Sequence, residues 1–190
     1  MAEDMRKALK KLSLSSMFLA IGLVLPFFTG QIPQVGSMML PMHIPVLLCG
    51  LICGWKYGLM VGIVLPLLRS VLFGMPPPFP TAAAMAFELA TYGFLTGFLY
   101  NRSKWKCIIA LYRSLIAAMV GGRIVWGAVM VVLTGVSGAP FTWALFLAGA
   151  FFNAIPGIIL QLVFIPAMMV ALDKTGLVRF HRKQCRHKLG

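Results

Sequence analysis

The chain is made of apolar stretches about twenty residues long, joined by short breaks, and this pattern decides most of what it can fold into. A hydrocarbon core of about 30 Å takes roughly 20 helical residues to cross, at about 1.5 Å each. Six stretches qualify or come close: about 12–29, 42–54, 56–73, 81–101, 107–134 and 142–172. The second is short, and Gly54, Lys56 and Gly58 mark a tight turn between it and the third. The last two are long enough to tilt or to project from a bilayer. A membrane β-barrel is not expected, because its strands alternate apolar and polar residues in runs of about ten. Composition agrees: 60% of the 190 residues are hydrophobic and 11% are charged, against roughly 25% charged in a soluble domain. The sequence therefore predicts an all-α integral membrane protein, a single six-transmembrane-helix bundle over residues 1–190 with a short basic tail at 173–190.

Seventeen Lys and Arg face four Asp and Glu, a formal charge of +13. In a soluble protein this would suggest nucleic acid, but here the positions point elsewhere. Arg6, Lys7, Lys10 and Lys11 precede the first span, and Lys56 lies between the second and third. Arg102, Lys104 and Lys106 separate the fourth and fifth, and Lys174, Arg179, Arg182, Lys183, Arg186 and Lys188 follow the sixth. All these segments fall on one side of a six-span chain. The opposite loops, about 30–41, 74–80 and 135–141, hold no Lys or Arg. The positive-inside rule then places both termini in the cytoplasm. The basic tail reads as an anchor to anionic lipid. No cleavable signal peptide is expected, since the first apolar stretch lacks a clean small-residue cleavage site and five more spans follow.

The outer loops differ in character. Residues 31–41 are rich in Gly, Pro and Gln, and residues 74–80 read Gly-Met-Pro-Pro-Pro-Phe-Pro. Proline fixes φ and removes a donor, which predicts a stiff lid. Gly50, Gly54, Gly58 and Gly62 recur every four residues, and Gly93 and Gly97 repeat the spacing, as expected where helix backbones approach closely in lipid. Ser16 and Ala20 form a further small pair on the first span, suited to internal packing or to docking another membrane subunit. Cys49, Cys53, Cys107 and Cys185 form no CxxC pair, and no disulfide framework is expected.

Ionisable groups at membrane depth are costly and point to function. Arg69 lies near the outer end of the third span. Glu88 is two turns into the fourth, with Tyr92 one turn deeper on the same face. Arg123 is mid-span in the fifth, Asn153 is near the middle of the sixth, and His43 begins the second. Gln161 lies two turns beyond Asn153, and Arg113, near a helix end, can snorkel. One reading is a buried ion pair, Glu88 with one arginine, closing a helix contact. It leaves one arginine over, and an uncompensated buried charge is strongly destabilising. The other reading is a polar pocket open to the outside, under the proline-rich loops, for a small molecule with a carboxylate or phosphate. Trp126 supplies either a stacking wall to that pocket or a lipid contact.

Several chemistries are missing or poorly placed. There is no Walker A loop and no HExxH. Gly135-Val136-Ser137-Gly138 looks like the Gly-x-Ser-Gly of intramembrane serine proteases, but it falls at an outer turn and His43 is distant in sequence. His181, Cys185 and His187 cluster in the tail, one ligand short of the usual structural zinc set. A self-sufficient secondary transporter generally shows internal repeats, and none relates residues 1–95 to 96–190.

Four stretches carry a resemblance. They are Leu40-Pro41-Met42-His43-Ile44-Pro45-Val46 leading to Gly50, Gly54 and Gly58; Pro66-Leu67-Leu68-Arg69-Ser70 followed by Phe73-Gly74-Met75-Pro76-Pro77; residues Ala84 to Gly93, with Glu88 and Tyr92; and Asn153-Ala154-Ile155-Pro156-Gly157-Ile158 with Gln161. In this order, over nearly the whole chain, they resemble the S components of energy-coupling factor (ECF) vitamin transporters. That resemblance implies the S-component fold of the riboflavin-binding type and a high-affinity site near the outer face for a vitamin or related micronutrient. The site would draw on His43, Arg69, Glu88, Tyr92, Arg123, Trp126 and Asn153. It also implies partners: a membrane scaffold subunit and two cytoplasmic ATPases, which consume the ATP, this chain carrying no cofactor or metal of its own. In the family an Ala-xxx-Ala pattern on the first helix docks the scaffold, and here Ser16 replaces its first alanine while Ala20 keeps the second. The surplus arginine favours an anionic vitamin, with pantothenate the leading expectation; riboflavin, folate and a pyridoxine-type compound stay open. The competing expectation is an intramembrane enzyme, or a membrane assembly protein without a small ligand.

Overall fold

A computed structural model of the chain describes residues 2–28, 41–103, 107–137 and 155–174, and these residues are helical apart from short connections, with no strand among them. The helices are α1 (Ala2–Phe28), α2 (His43–Cys53), α3 (Trp55–Phe73), α4 (Ala83–Arg102), α5 (Ile108–Ser137) and α6 (Ile155–Lys174). Five of the described segments are long and apolar enough to cross a membrane. The exception is α2, whose 11 residues reach about 16 Å. Ten of those residues are buried, so α2 is enclosed by its neighbours instead of facing lipid. A helix that is apolar all round belongs in such a place.

Two boundaries move from their sequence positions. Helix α1 begins at Ala2, well before the apolar run, because Arg6 to Lys11 continue the helix with their side chains exposed. Helix α5 continues to Ser137, so Gly135 and Ser137 belong to its last turn. The disulfide expectation is corrected at one point: Cys49 and Cys53 are free and buried, but Cys107 is disulfide-bonded. Most of the first outer loop, the beginning of the sixth span, Asn153, and the tail with His181, Cys185 and His187 lie outside the described residues.

Helix α4 is central, packed against α2, α3 and α5, while α1 lies on α2 and α3, and α6 on α5 and α2. Glycine allows this. A methyl group on Gly93 would overlap the Gly58 carbonyl, and one on Gly62 would overlap that of Leu89. A methyl on Gly50 would sit 2.5 Å from the Gly93 carbonyl oxygen, and one on Gly97 would sit 2.5 Å from the Trp55 nitrogen. Three backbones thus cross at van der Waals range, where packing must replace the hydrophobic effect. Gly54 departs from the seam. At φ 103° it makes the sharp α2–α3 turn, donating its N–H to the Gly50 carbonyl at 3.2 Å, a backbone conformation that costs glycine little.

These contacts also fix which helix ends lie together. The start of α3 meets the end of α4 through Trp55 and Gly97. Leu65 of α3 fills the space beside Gly22 of α1, and Phe73 meets Phe27 further along both, so α1 and α3 run the same way. Asp173 of α6 is within electrostatic reach of Tyr100 of α4. Arg6 to Lys11, Lys56, Arg102 and Lys174 consequently gather at one end of the bundle.

At the other end the proline-rich connection is held at both sides. Gly74 takes a left-handed φ of 67°, and Ser70 Oγ donates to the Pro76 carbonyl at 2.7 Å. A wide turn over Pro78–Ala82, closed by the Ala82 N–H on the Pro77 carbonyl at 2.9 Å, leads into α4 and rests on α3, α4 and α5.

Candidate functional site

A polar cluster is embedded in this core. Glu88 projects from α4 and is 2% exposed, and His43 of α2 and Tyr92 of α4 are 1% exposed. Three groups converge on one carboxylate oxygen, Glu88 Oε1. Tyr92 donates its hydroxyl at 3.1 Å, Arg123 Nη1 of α5 lies at 3.3 Å, and His43 Nε2 lies at 3.6 Å. The His43 ring meets Tyr92 edge-on, centroids 5.1 Å apart. The local sequence explains the assembly. Glu88 and Tyr92 are one turn apart and so share a face. Gly122 places α5 against the Tyr92 ring, where a methyl group would sit 2.9 Å from Cε1, and this brings the next residue, Arg123, level with the carboxylate. The α2 helix starts at His43, and that side chain is buried within the bundle.

The cluster is assembled but loose. A tight charge-assisted hydrogen bond measures about 2.7–2.9 Å, and every contact on Glu88 Oε1 is longer. Buried polar atoms are also left over: among the described residues Arg123 Nε and Nη2, both ring nitrogens of His43, Gln161 Nε2 and the Tyr100 hydroxyl have no hydrogen-bond partner. Gln161 of α6 is 1% exposed. Buried polar atoms are nearly always paired, and each exception calls for an explanation. Nε and Nη2 together form the side-on edge of the guanidinium. Arg123 therefore gives one nitrogen to Glu88 and keeps a complete two-donor fork, the geometry that matches a planar carboxylate.

Arg69 has different surroundings. Its Nη1 donates to the Leu23 carbonyl of α1 at 3.1 Å, and its guanidinium carbon lies 5.6 Å from the Phe27 ring centre and 5.8 Å from that of Phe73. Those rings meet edge-on at 4.9 Å. Arg69 thus ties α3 to α1, and no contact with Glu88 occurs among the described residues. Trp126 is half-buried on α5 one turn beyond Arg123. Asn153 lies outside the described residues. Ser16 and Ala20 are both exposed on α1, directed away from α2 and α3. Gln161 is the buried polar residue that the sequence singled out without assigning to the site; its only signal was a lone amide in an apolar helix.

An apolar helical bundle holding a buried, incompletely paired polar cluster beneath a stiff loop is the build of a membrane subunit that captures a small molecule. The model of the family described as ECF transporter, substrate-specific component matches residues 10–169. The chain belongs to that family, whose members are binding subunits of transporters. No match was found among curated proteins or among solved structures.

Proposed function

We propose that this chain captures a small vitamin or related micronutrient from the outer face and releases it inward when coupled to an ECF scaffold subunit and two ATPases. In this reading the chain crosses the membrane six times with both termini in the cytoplasm. The observation that carries the site is the unpaired side-on edge of Arg123 beside Glu88, buried where no water bath can satisfy it. A carboxylate on that fork, with the rest of the ligand reaching Gln161, pairs these donors, and Asn153 is kept as a further ligand contact on the sequence reading alone. Pantothenate is the leading candidate, being small, carboxylated and hydroxylated. Glu88 and Tyr92 hold Arg123 in place, His43 closes the outer side, and Trp126 walls the apolar part.

The competing enzyme reading needs His43 as a base for Ser137. His43 is packed against Tyr92 and Glu88. The test is native mass spectrometry of the detergent-purified protein, followed by titration with pantothenate. The reading expects a co-purified small acid and tight binding without ATP. Arg123→Lys keeps the charge beside Glu88 but loses the fork, and binding should fall roughly a hundredfold, as expected for two charge-assisted hydrogen bonds. Unchanged binding in Arg123→Lys removes the assignment of the fork, and binding of riboflavin in place of pantothenate removes the choice of vitamin.

A further inference from the structure

The basic end of the bundle carries a second constellation, on its outside. Here the first turn of α3 meets the last turns of α4. The Trp55 ring stands edge-on to Phe94, centroids 5.6 Å apart and planes at 89°. Phe94 stacks on Phe98 at 5.5 Å with planes 13° apart. A cation caps each end of this ladder: Lys56 Nζ lies 5.5 Å from the Trp55 ring centre, and Arg102 Cζ lies 5.8 Å from that of Phe98. Trp55 is 38% and Phe98 36% exposed, and both cationic side chains are exposed.

Among the described residues, neither Lys56 nor Arg102 forms an ion pair. Ion pairs form elsewhere, between Lys7 and Glu3 and between Glu88 and both His43 and Arg123. The chain has only four acidic residues. Glu3 is taken by Lys7, Glu88 is buried in the polar cluster, Asp173 lies by Tyr100, and Asp4 lies in the first turn of α1. The ladder also continues an apolar outer surface: Met60, Ile63, Val64 and Leu67 follow along α3, all strongly exposed. Aromatic rings at the end of such a surface belong at the headgroup level of a bilayer. Cations beside them attract anionic lipid.

We propose that this face is a binding site for one anionic phospholipid of the leaflet at the basic end. Lys56 and Arg102 flank the anionic headgroup. Trp55, Phe94 and Phe98 contact the glycerol and the first methylenes, and the acyl chains run along α3. A lipid is favoured over an acidic protein surface because the rings would be left against water by a partner that engages the cations alone. The site is separate from the Glu88 cluster and does not depend on what that cluster binds.

The test uses the full chain with Trp105, Trp126 and Trp143 replaced by Phe, so that Trp55 is the only tryptophan. It is reconstituted in phosphatidylcholine vesicles containing either dibrominated phosphatidylglycerol or dibrominated phosphatidylcholine, and Trp55 quenching is compared. Phosphatidylglycerol should quench at several-fold lower mole fraction. Removing the cations singly, as Lys56→Gln and Arg102→Gln, should reduce that preference about fivefold each, and removing both should abolish it. Lys7→Gln with Lys10→Gln, which takes the same charge from α1, should leave it intact. Equal quenching by the two lipids overturns the site and leaves the cations to an acidic protein partner. A preference that survives Lys56→Gln/Arg102→Gln, or that falls equally with the α1 pair, also overturns it, because the attraction is then diffuse. Thermal melting of each variant separates loss of lipid from loss of fold.

Discussion

Arg69 and Arg123 look alike in the sequence, each a lone cation in an apolar run, yet their environments differ in kind. Arg123 keeps two buried donors unpaired beside a carboxylate, whereas Arg69 gives a hydrogen bond to the α1 backbone and lies between two phenyl rings. Substitution should separate them. Arg69→Gln loses the cation–π contacts, worth about 0.5–2 kcal/mol, and loosens α1; thermal stability is expected to drop while the affinity for pantothenate changes less than in Arg123→Lys. Arg123→Gln should cost both, because Glu88 is left as a buried charge without its cation, a loss of about 3–5 kcal/mol. Arg123→Gln combined with Glu88→Gln should recover much of that stability but none of the binding. Melting curves and isothermal titration of the four proteins check this, and recovery of binding in the double variant contradicts the fork. The residues at membrane depth were legible in the sequence because charge in hydrocarbon is rare. Their grouping was not, since it depends on which way a helix face turns. The surplus-charge argument joined both arginines to one pocket; in the structure Arg69 bonds to the α1 backbone, and the binding measurements decide whether it also reaches a ligand.

At the scale of elements, the close crossing of α2, α3 and α4 depends on glycines whose missing side chains make room for backbone. The sequence marked Gly54, Lys56 and Gly58 as a turn and the four-residue spacing as a close approach, but it could not show that Gly54 alone makes the turn while Gly58 joins Gly50, Gly62 and Gly93 as a contact point. Gly93→Ala tests the crossing directly. The added methyl meets the Gly58 carbonyl and Cα, and backbone cannot rotate away as a flexible side chain can. The expected loss is about 1–3 kcal/mol or more, seen as a lower melting temperature and poor recovery from detergent. Gly135→Ala is the control: a methyl there meets nothing within 4 Å, and replacing glycine by alanine inside a helix is worth about 0.5–1 kcal/mol in its favour. Comparable destabilisation by both variants rules out the crossing as the cause. The extent of α1 was hidden for a different reason. Hydropathy ends where the basic residues begin, but helix formation does not require apolar residues, and Arg6 to Lys11 continue the rod beyond the apolar run.

At the scale of the whole molecule, three features lie along one axis. The stiff proline connection closes one end, the polar cluster lies beneath it, and the cations collect at the opposite end. The exposed Ser16 and Ala20 lie on α1, which makes fewer contacts with the rest than any helix in the centre of the bundle. Arg69 ties α1 to α3, and the neighbouring residue Ser70 holds the proline connection. The charge asymmetry was the most legible feature of the sequence, because lipid and membrane potential act on every loop alike and require no knowledge of packing. Its direction across the membrane follows from the positive-inside rule and is open to a direct check. In a variant with all four cysteines replaced by alanine, Met75→Cys and Ser103→Cys place single thiols at opposite ends. A membrane-impermeant maleimide applied to intact cells should label Met75→Cys at once and Ser103→Cys only after permeabilisation. The reverse pattern would put the Glu88 cluster under the inner face, and a capture subunit loading from outside could not then work from it.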